Sequence, residues 1–407
     1  MRRKMRVPLA AALGLLLVAG IAAPGAAAAA PSPHRTEWWL GTWNARKSLW
    51  SQSQGQGVTV AVIGWGASDK VPELQGALVP GTDLFYGGDG LIDRDDTSDG
   101  YGTALASLIA ARGVRTGFLG VAPAAKVMPI VTSNSSQAEG IRYAADHGAE
   151  VILLSQAAGA SRCRGPLQEA VGYAVERDVV LVAGMGHGRH PDDEQSPGNC
   201  AGVLAVGAVD ARLKPWAESY RQPYAAVSAP GVALSGVFAD GRVRTFDDTA
   251  GAAALTAGAV ALIRARFPKL PAKEVVRRVI ASAADLGARG HDDKTGYGFV
   301  RPGLVLAERV PAKSPNPVYE AYANWAAEHR AEKGAEDADR RRREEAMEDS
   351  GSEATGYVIM LASMLAVTLV ACTIALVRTR RRTAAAGGVG PVAGPVAGPP
   401  FAPYPQG

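Results

Sequence analysis

Residues 58–66 read VTVAVIGWG and residues 101–113 read YGTALASLIAARG, and this pair of segments sets the pattern of the chain. The first is an apolar run that closes on glycines, which is typical of a strand covered on both faces. The second is an alanine-rich helical pattern. The alternation continues in the segments 124–133, 137–148, 149–159, 166–178, 179–188 and 203–210. Such alternation predicts an α/β fold with a parallel sheet, and places the candidate site at the carboxyl ends of its strands.

The composition fits one large domain with appended segments. The chain has 407 residues, of which 47% are hydrophobic and 20% are charged, and its formal net charge is +4. A chain of this kind can bury a substantial core. Its basic residues collect at the N-terminus, in the charged run 339–349 and near the C-terminus, and this distribution argues against a nucleic-acid-binding surface.

The N-terminal segment 1–30 has a basic start, an apolar stretch over residues 7–22 and a run of small residues. This order is typical of a secretory signal peptide, and an uncleaved N-terminal anchor is the alternative. The segment 31–310 that follows is the predicted extracytoplasmic domain.

A second apolar segment lies near the C-terminus. Residues 356–377 carry no charge and reach about 33 Å as a helix, which predicts one transmembrane helix. Arginines follow directly at positions 378 and 380–382 and mark the cytoplasmic side. The chain is therefore expected in the cell membrane as a single-pass protein, with its main domain outside and a Pro/Gly-rich tail, 378–407, inside.

The segment 311–355 between domain and membrane is rich in Ala, Glu and Arg and shows no continuous apolar face. It predicts either a charged helical stalk or a flexible linker.

Cysteine placement agrees with this topology. Cys163 and Cys200 lie in the exported part, whereas Cys372 lies within the predicted membrane span. An oxidising compartment favours a disulfide between Cys163 and Cys200, and two unpaired thiols are the alternative.

Four motifs occur in a recognisable order: GQGVTVAVIGWGAS at 55–68, DGYGTALASLIAA at 99–111, DVVLVAGMGHG at 178–188, and DDTAGAAALTAGAVALIRARFP at 247–268. With them, the stretch from Leu40 to Ala307 resembles the subtilisin-like serine proteases (peptidase family S8). The signal peptide and anchor make it most similar to the mycosins, the membrane-anchored subtilases of actinobacterial type VII secretion systems. This resemblance implies a three-layer fold around a central, mostly parallel sheet.

The family's catalytic residues are all replaced. Subtilases use an Asp to orient a His, the His to take a proton from a Ser, and an Asn to hold the oxyanion. Motif by motif, these positions hold Gly64, Tyr101, Ala250 and, for the Asn, His187. We therefore assign no catalytic residue. If the backbone frame is intact, restoring all four together is expected to restore reaction with a serine-directed probe.

Two functional hypotheses follow from the resemblance and from the replaced catalytic residues. The first is a pseudoprotease that serves as a structural or peptide-binding component near a type VII secretion machine. The second is an exported serine-type endopeptidase, as the family alone implies. Ser155 and Thr249 are hydroxyls near the expected cleft, but neither has an evident base partner in the sequence. Trp65 and Tyr101 either fill the former active site or line a cleft that still holds an extended peptide.

Two polar segments invite a metal interpretation. His187, His190, Asp192, Asp193 and Cys200 are zinc-ligand types, but their spacing fits a polar loop better. The acidic run of Asp89, Asp93, Asp95, Asp96 and Asp99 is interpreted as a solvated turn, with structural calcium as the alternative. No cofactor is predicted. The expected partners are the membrane, a type VII secretion complex and an extended peptide, and no nucleic acid.

Overall fold

The computed structural model describes residues 33–156, 162–163, 165–188, 195–287 and 289–383. The predicted signal peptide, 1–30, and the tail beyond residue 383 lie outside the described residues. The chain divides into two units, the first ending at Ala327 and the second beginning at Glu328.

A parallel sheet forms the centre of the first unit. Its strands are β1 (Thr59–Gly64), β2 (Thr82–Asp83), β3 (Lys126–Val131), β4 (Val151–Leu154), β5 (Val180–Gly184), β6 (Val203–Val209) and β7 (Val227–Pro230). They lie in the order β2-β3-β1-β4-β5-β6-β7, and every neighbouring pair is parallel. This arrangement confirms the predicted α/β fold. The short edge strands β2 and β7 were not predicted, because they are brief and carry little periodic signal.

Helices cover the sheet in two layers. The helices are α1 (Trp38–Thr42), α2 (Tyr101–Ala110), α3 (Gln137–Asp146), α4 (Gly165–Glu176), α5 (Thr249–Arg266), α6 (Ala272–Ala281), α7 (Pro302–Leu306) and α8 (Pro317–Thr383). Helices α2 and α5 pack on each other and on the sheet, and α3 and α4 form a second packed pair.

Helix α5 is the buried axis of the domain. Its residues are almost all buried from Thr249 to Arg264, as expected of a helix that is apolar all round. Small residues make this burial possible. Gly258, for example, lies so close to Val121 that a side chain added to it would place its Cβ only 2.9 Å from the Val121 Cβ. Thr249, the first residue of α5, packs against Gly184 at the end of β5. A Cβ added to Gly184 would lie only 2.7 Å from the Thr249 hydroxyl. The start of α5 is thus held at the carboxyl edge of the sheet.

A two-stranded antiparallel hairpin brings the chain to that point. It comprises β8 (Leu234–Val237) and β9 (Val243–Phe246). The hairpin packs on α2. Gly236 lies so close to Ala104 that an added Cβ would be 3.0 Å from the Ala104 Cβ. The Val237 N–H donates a hydrogen bond to the buried Ser107 hydroxyl at 2.9 Å. The hairpin ends two residues before α5, which places the residues around 246–250 beside the start of α2.

The first residues of helix α8 pack on the domain. Val318 and Tyr319 are buried, and a Cβ at Gly172 in α4 would lie 2.8 Å from the Trp325 ring. The first compact unit therefore extends beyond the boundary predicted at residue 310. The segment 311–355 was predicted as either a helical stalk or a flexible linker, and it is helical from Pro317 onward.

The predicted membrane segment lies within α8. The stretch Thr355–Arg380 has a mean hydropathy of 2.5, is not buried in the protein, and is long and apolar enough to cross a membrane. It contains the predicted span, 356–377.

A disulfide links Cys163, before α4, to Cys200, before β6, with 4.9 Å between the Cα atoms. This confirms the predicted pairing. Cys372 is a free thiol in the candidate membrane span.

Replacing both Cys163 and Cys200 by serine is expected to lower the free energy of unfolding of the domain. The bond closes a loop with a sequence separation of 37 residues, for which the chain-entropy model gives about 3–4 kcal/mol. Urea titration followed by tryptophan fluorescence measures the change. Cys372→Ser is the matched control and should leave the midpoint unchanged; equal midpoints for all three proteins would contradict the prediction.

Candidate active site

The candidate site lies where three parallel strands end. Gly64 closes β1, Ser155 follows β4, and Gly184 closes β5. A cavity of about 140 Å³ opens there, and its lining includes Ser155, Gln156, His187, Asp248 and Ala250. The carboxyl ends of parallel strands thus form the site, as the sequence predicts.

The centre of the site is the carboxylate of Asp248, which caps the N-terminus of α5. One carboxylate oxygen, Oδ1, accepts the backbone N–H of Ala250 at 2.6 Å. The other, Oδ2, accepts the hydroxyl of Tyr101. The ring nitrogen Nδ1 of His187 lies 3.5 Å from Oδ1. Three of the four predicted positions, 101, 187 and 250, therefore converge on one carboxylate.

Tyr101 reaches Asp248 because it is the first residue of α2. Its backbone N–H donates to Asp95 at 3.0 Å, and its ring packs edge-on against Phe246 with 5.5 Å between the ring centres. Burial and the Asp248 carboxylate raise the pKa of the Tyr101 hydroxyl well above its usual value. The phenol therefore remains protonated at neutral pH and acts as a hydrogen-bond donor to Asp248.

His187 closes the solvent side of the site. Its side chain is 39% exposed, and its ring lies 5.1 Å from that of Trp216. The imidazole thus lies between solvent and the Asp248 carboxylate. It contacts a carboxylate here and has no described hydroxyl within hydrogen-bond distance to deprotonate.

Gly64 lies directly against the Ser155 side chain. A Cβ built on Gly64 would lie 2.2 Å from Ser155 Oγ, far below a normal contact. That hydroxyl donates to the Ile63 carbonyl at 2.8 Å. Ser155 therefore occupies the space beside Gly64.

The Thr249 hydroxyl is also engaged in the fold. It is 2% exposed and accepts the Gly186 N–H at 3.2 Å. Neither this hydroxyl nor that of Ser155 lies within hydrogen-bond distance of a described basic side chain.

Trp65 is not among the residues that line the Asp248 cavity. It lines a neighbouring cavity of about 270 Å³ together with Phe85 and Tyr86. A Cβ built on Gly102 would lie 3.1 Å from the Cβ of Trp65, so Trp65 packs at the start of α2, next to Tyr101.

Asp248 was not identified from the sequence. A signal for it was present, because an Asp directly before an apolar helix is a preferred N-cap residue. Its contact with Tyr101 spans 147 positions in the chain and has no local signature.

The acidic run supports the start of α2. Asp93 accepts both the N–H and the hydroxyl of Thr103, at 2.6 and 2.5 Å, and burial raises the pKa of Asp93 to about 6. Asp95 accepts the N–H groups of Thr97 and Tyr101. Within the described ranges, no group of three or more His, Cys, Asp or Glu side chains is arranged to hold a metal ion.

The predicted polar loop is described only in part. His190, Asp192 and Asp193 lie outside the described residues, and Cys200 is in the disulfide.

Comparison with known proteins identifies the relatives of this domain. The Subtilase family model matches residues 55–298. Mycosin-4 of Mycobacterium tuberculosis is 32% identical over 317 residues, which cover 65% of this chain and 68% of Mycosin-4. Fervidolysin of Fervidobacterium pennivorans is 29% identical over 68% of this chain, and the match spans only 44% of the length of Fervidolysin.

Solved structures give the same grouping. The MycP3 protease from the type VII (ESX-3) secretion system is similar with a TM-score of 0.58 and 31% identity, over 70% of this chain and 90% of that one. A chain of the periplasmic assembly from the ESX-5 inner membrane complex is similar with a TM-score of 0.59 and 29% identity, over 69% of this chain and 86% of that one.

Tyr101→Phe is expected to destabilise the domain by about 1.5–3 kcal/mol, because it removes a hydrogen bond to a largely buried carboxylate. Thermal or urea unfolding measures the loss. Tyr86→Phe is the matched control, since the Tyr86 side chain is 67% exposed, and it should change stability by less than about 0.5 kcal/mol. Equal stability of the two variants would show that the Tyr101 hydroxyl does not support the site.

Proposed function

Because the chain belongs to the subtilase family, we propose that it is a membrane-anchored, mycosin-like subtilase without protease activity. Its proposed role is that of a structural or peptide-binding component of a type VII secretion membrane complex.

The Asp248 carboxylate carries the first part of this proposal. In acyl transfer by this family, the N–H groups at the start of the nucleophile's helix face the oxyanion. Here the N–H of Ala250 already donates to Asp248 at 2.6 Å. A negative carboxylate at that point repels a second negative oxygen. The residues at the nucleophile, base and oxyanion positions thus contact the Asp248 carboxylate, and in this proposal they stabilise the fold and do not catalyse a reaction.

The chemistry of the individual side chains supports the same conclusion. Ala250 has no atom to acylate, and the protonated phenol of Tyr101 is a poor base at neutral pH. Gly64 offers no carboxylate, and a Cβ at this position would have to displace the Ser155 hydroxyl.

The membrane arrangement is part of the proposal. Residues 1–30 would direct export, residues 31–310 would form the extracytoplasmic domain, and the helix within 356–377 would anchor it. Arginines after the span, at 378 and 380–382, support a cytoplasmic tail over 378–407.

Similarity to a chain of the ESX-5 periplasmic assembly supports the proposed partner. A subtilase fold can hold a position in such an assembly through its surface, which the loss of catalytic side chains does not remove. The alternative function is an exported serine-type endopeptidase, and it requires a reactive serine.

Labelling with a fluorophosphonate probe separates the two functions. The full-length protein in mild detergent is expected to show no labelling above a heat-denatured sample, because a reactive serine needs an adjacent base. An active subtilase treated in parallel is the positive control. Heat-sensitive labelling that maps to a serine of this domain would establish the endopeptidase instead.

Restored variants provide the internal control for that test. The four substitutions Gly64→Asp, Tyr101→His, His187→Asn and Ala250→Ser leave Ser155 Oγ beside position 64 and Asp248 on the N–H of residue 250. The sequence alone predicts that these four substitutions restore labelling; with Ser155 and Asp248 in place, we expect them to leave the protein unlabelled. Adding Ser155→Ala and Asp248→Gly should allow labelling. Labelling of the fourfold variant would show that Asp248 does not block the site.

Co-purification tests the proposed partner. The tagged full-length protein, extracted from its own membranes in mild detergent, is expected to elute with type VII secretion membrane components in one high-mass peak. An unrelated tagged single-pass protein from the same membranes is the control. If the folded protein elutes without those components, the proposed partner is refuted. That result would not bear on the proposed absence of protease activity, which the labelling experiment tests separately.

A further inference from the structure

The C-terminal end of helix α5 carries a concentration of positive charge. This helix begins beside Asp248 and ends at Arg266, about 26 Å further along its axis, so the charge lies away from the candidate active site. The segments 264–278 and 308–316 hold eight basic residues and only two acidic ones. The excess is local, because the whole chain has a formal net charge of +4.

Hydrogen bonds join the two segments into one surface. The guanidinium of Arg277 in α6 donates to the Pro311 carbonyl at 2.9 Å and to the Ser314 hydroxyl at 2.8 Å. The side-chain amide of Asn316 donates to the Lys273 carbonyl at 2.8 Å. The segment that precedes α8 is therefore fastened along α6, and the basic side chains of both segments lie on the same side of the domain.

Five of these basic side chains are exposed and have no carboxylate within 4.0 Å among the described residues. We call this set the basic face, and its members are Arg266, Lys269, Lys273, Arg309 and Lys313. Unmatched charges of one sign on one surface attract an oppositely charged partner and steer its approach.

The acidic side chains of this region are mostly paired with other arginines. Glu274 pairs with Arg277 at 2.6 Å, and Asp178 pairs with the buried Arg264 at 2.8 Å. Glu308 is exposed and sets one negative charge against the five positive ones. The basic face therefore keeps a net positive charge.

The backbone and an aromatic ring hold part of the basic face in place. The guanidinium carbons of Arg266 and Arg278 lie 5.2 and 5.9 Å from the centre of the Phe267 ring, which favours cation–π contacts. Pro268 and Pro271 restrict the backbone on either side of Lys269. A surface held in one arrangement loses less conformational entropy on binding.

We infer that the basic face docks an acidic segment of a partner protein. Its lysines and arginines pair with the carboxylates of that segment, and the half-buried Phe267 and Leu270 offer apolar contact between the charges. A protein segment is favoured over a lipid surface, because attraction to anionic lipid depends on the number of charges and gains little from a fixed, partly apolar arrangement. The docking uses none of the residues at positions 64, 101, 187 and 250, so it stands whether or not the domain is a protease.

Fluorescence anisotropy with two defined probes tests the inference. One probe is a fluorescent twelve-residue peptide that alternates glutamate with leucine, and the other has lysine in place of each glutamate. The full-length protein in neutral-lipid nanodiscs is expected to bind the glutamate peptide at least about tenfold more tightly than the lysine peptide, and less tightly as salt is raised.

Variants assign the binding to the basic face. The triple variant Arg266→Gln, Lys269→Gln and Lys273→Gln should weaken binding of the glutamate peptide by about tenfold or more. The matched control makes the same change in net charge elsewhere on the exposed surface, through Lys47→Gln, Lys70→Gln and Arg212→Gln, and should keep its affinity within about twofold. An unchanged melting temperature verifies that each variant is folded. Equal affinity for the two peptides, or full affinity in the triple variant, would overturn the inference.

Flotation with vesicles tests the lipid alternative. The same nanodisc-held protein is mixed with vesicles that contain phosphatidylglycerol and, separately, with neutral vesicles. If it floats only with the anionic vesicles, loses this in the triple variant and shows no saturable binding of the glutamate peptide, the basic face binds lipid and the inference is wrong.

Discussion

The carboxylate of Asp248 is the interaction on which the site depends. It caps α5, where the N-terminal N–H groups and the helix dipole favour a negative charge, and it binds the Tyr101 hydroxyl at the start of α2. One side chain thereby joins the two central helices at the edge of the sheet. The same side chain takes the N–H of residue 250 that an oxyanion would need. Stability of the helix start and the proposed lack of protease activity thus share one cause.

This arrangement is possible because the scaffold is rigid. Helix α5 lies in the core between sheet and α2, and its small residues allow contacts such as that of Gly258 with Val121. Ser155 hydrogen-bonds the last residues of β1 and fills the space beside Gly64. The hydroxyls of Ser155 and Thr249 at this edge of the sheet are thus hydrogen-bonded to backbone groups.

The two adjoining cavities differ in their chemistry. In the Asp248 cavity, the central carboxylate has partners from within the chain. The neighbouring cavity of about 270 Å³ is lined by Trp65, Phe85 and Tyr86, and Phe85 and Tyr86 are exposed.

The sequence by itself determined the sheet, the main helices, the candidate membrane span and the cysteine pairing. These features depend on local periodicity, on segment length and on motif register, all of which are visible along the chain. It did not reveal the role of Asp248 or Ser155, or the extension of the compact unit to Ala327. Those features were decided by the tertiary structure, because they are contacts between segments distant in the chain. Asp248 and Tyr101 are 147 positions apart, and only the packing of α5 against α2 brings the carboxylate and the hydroxyl together.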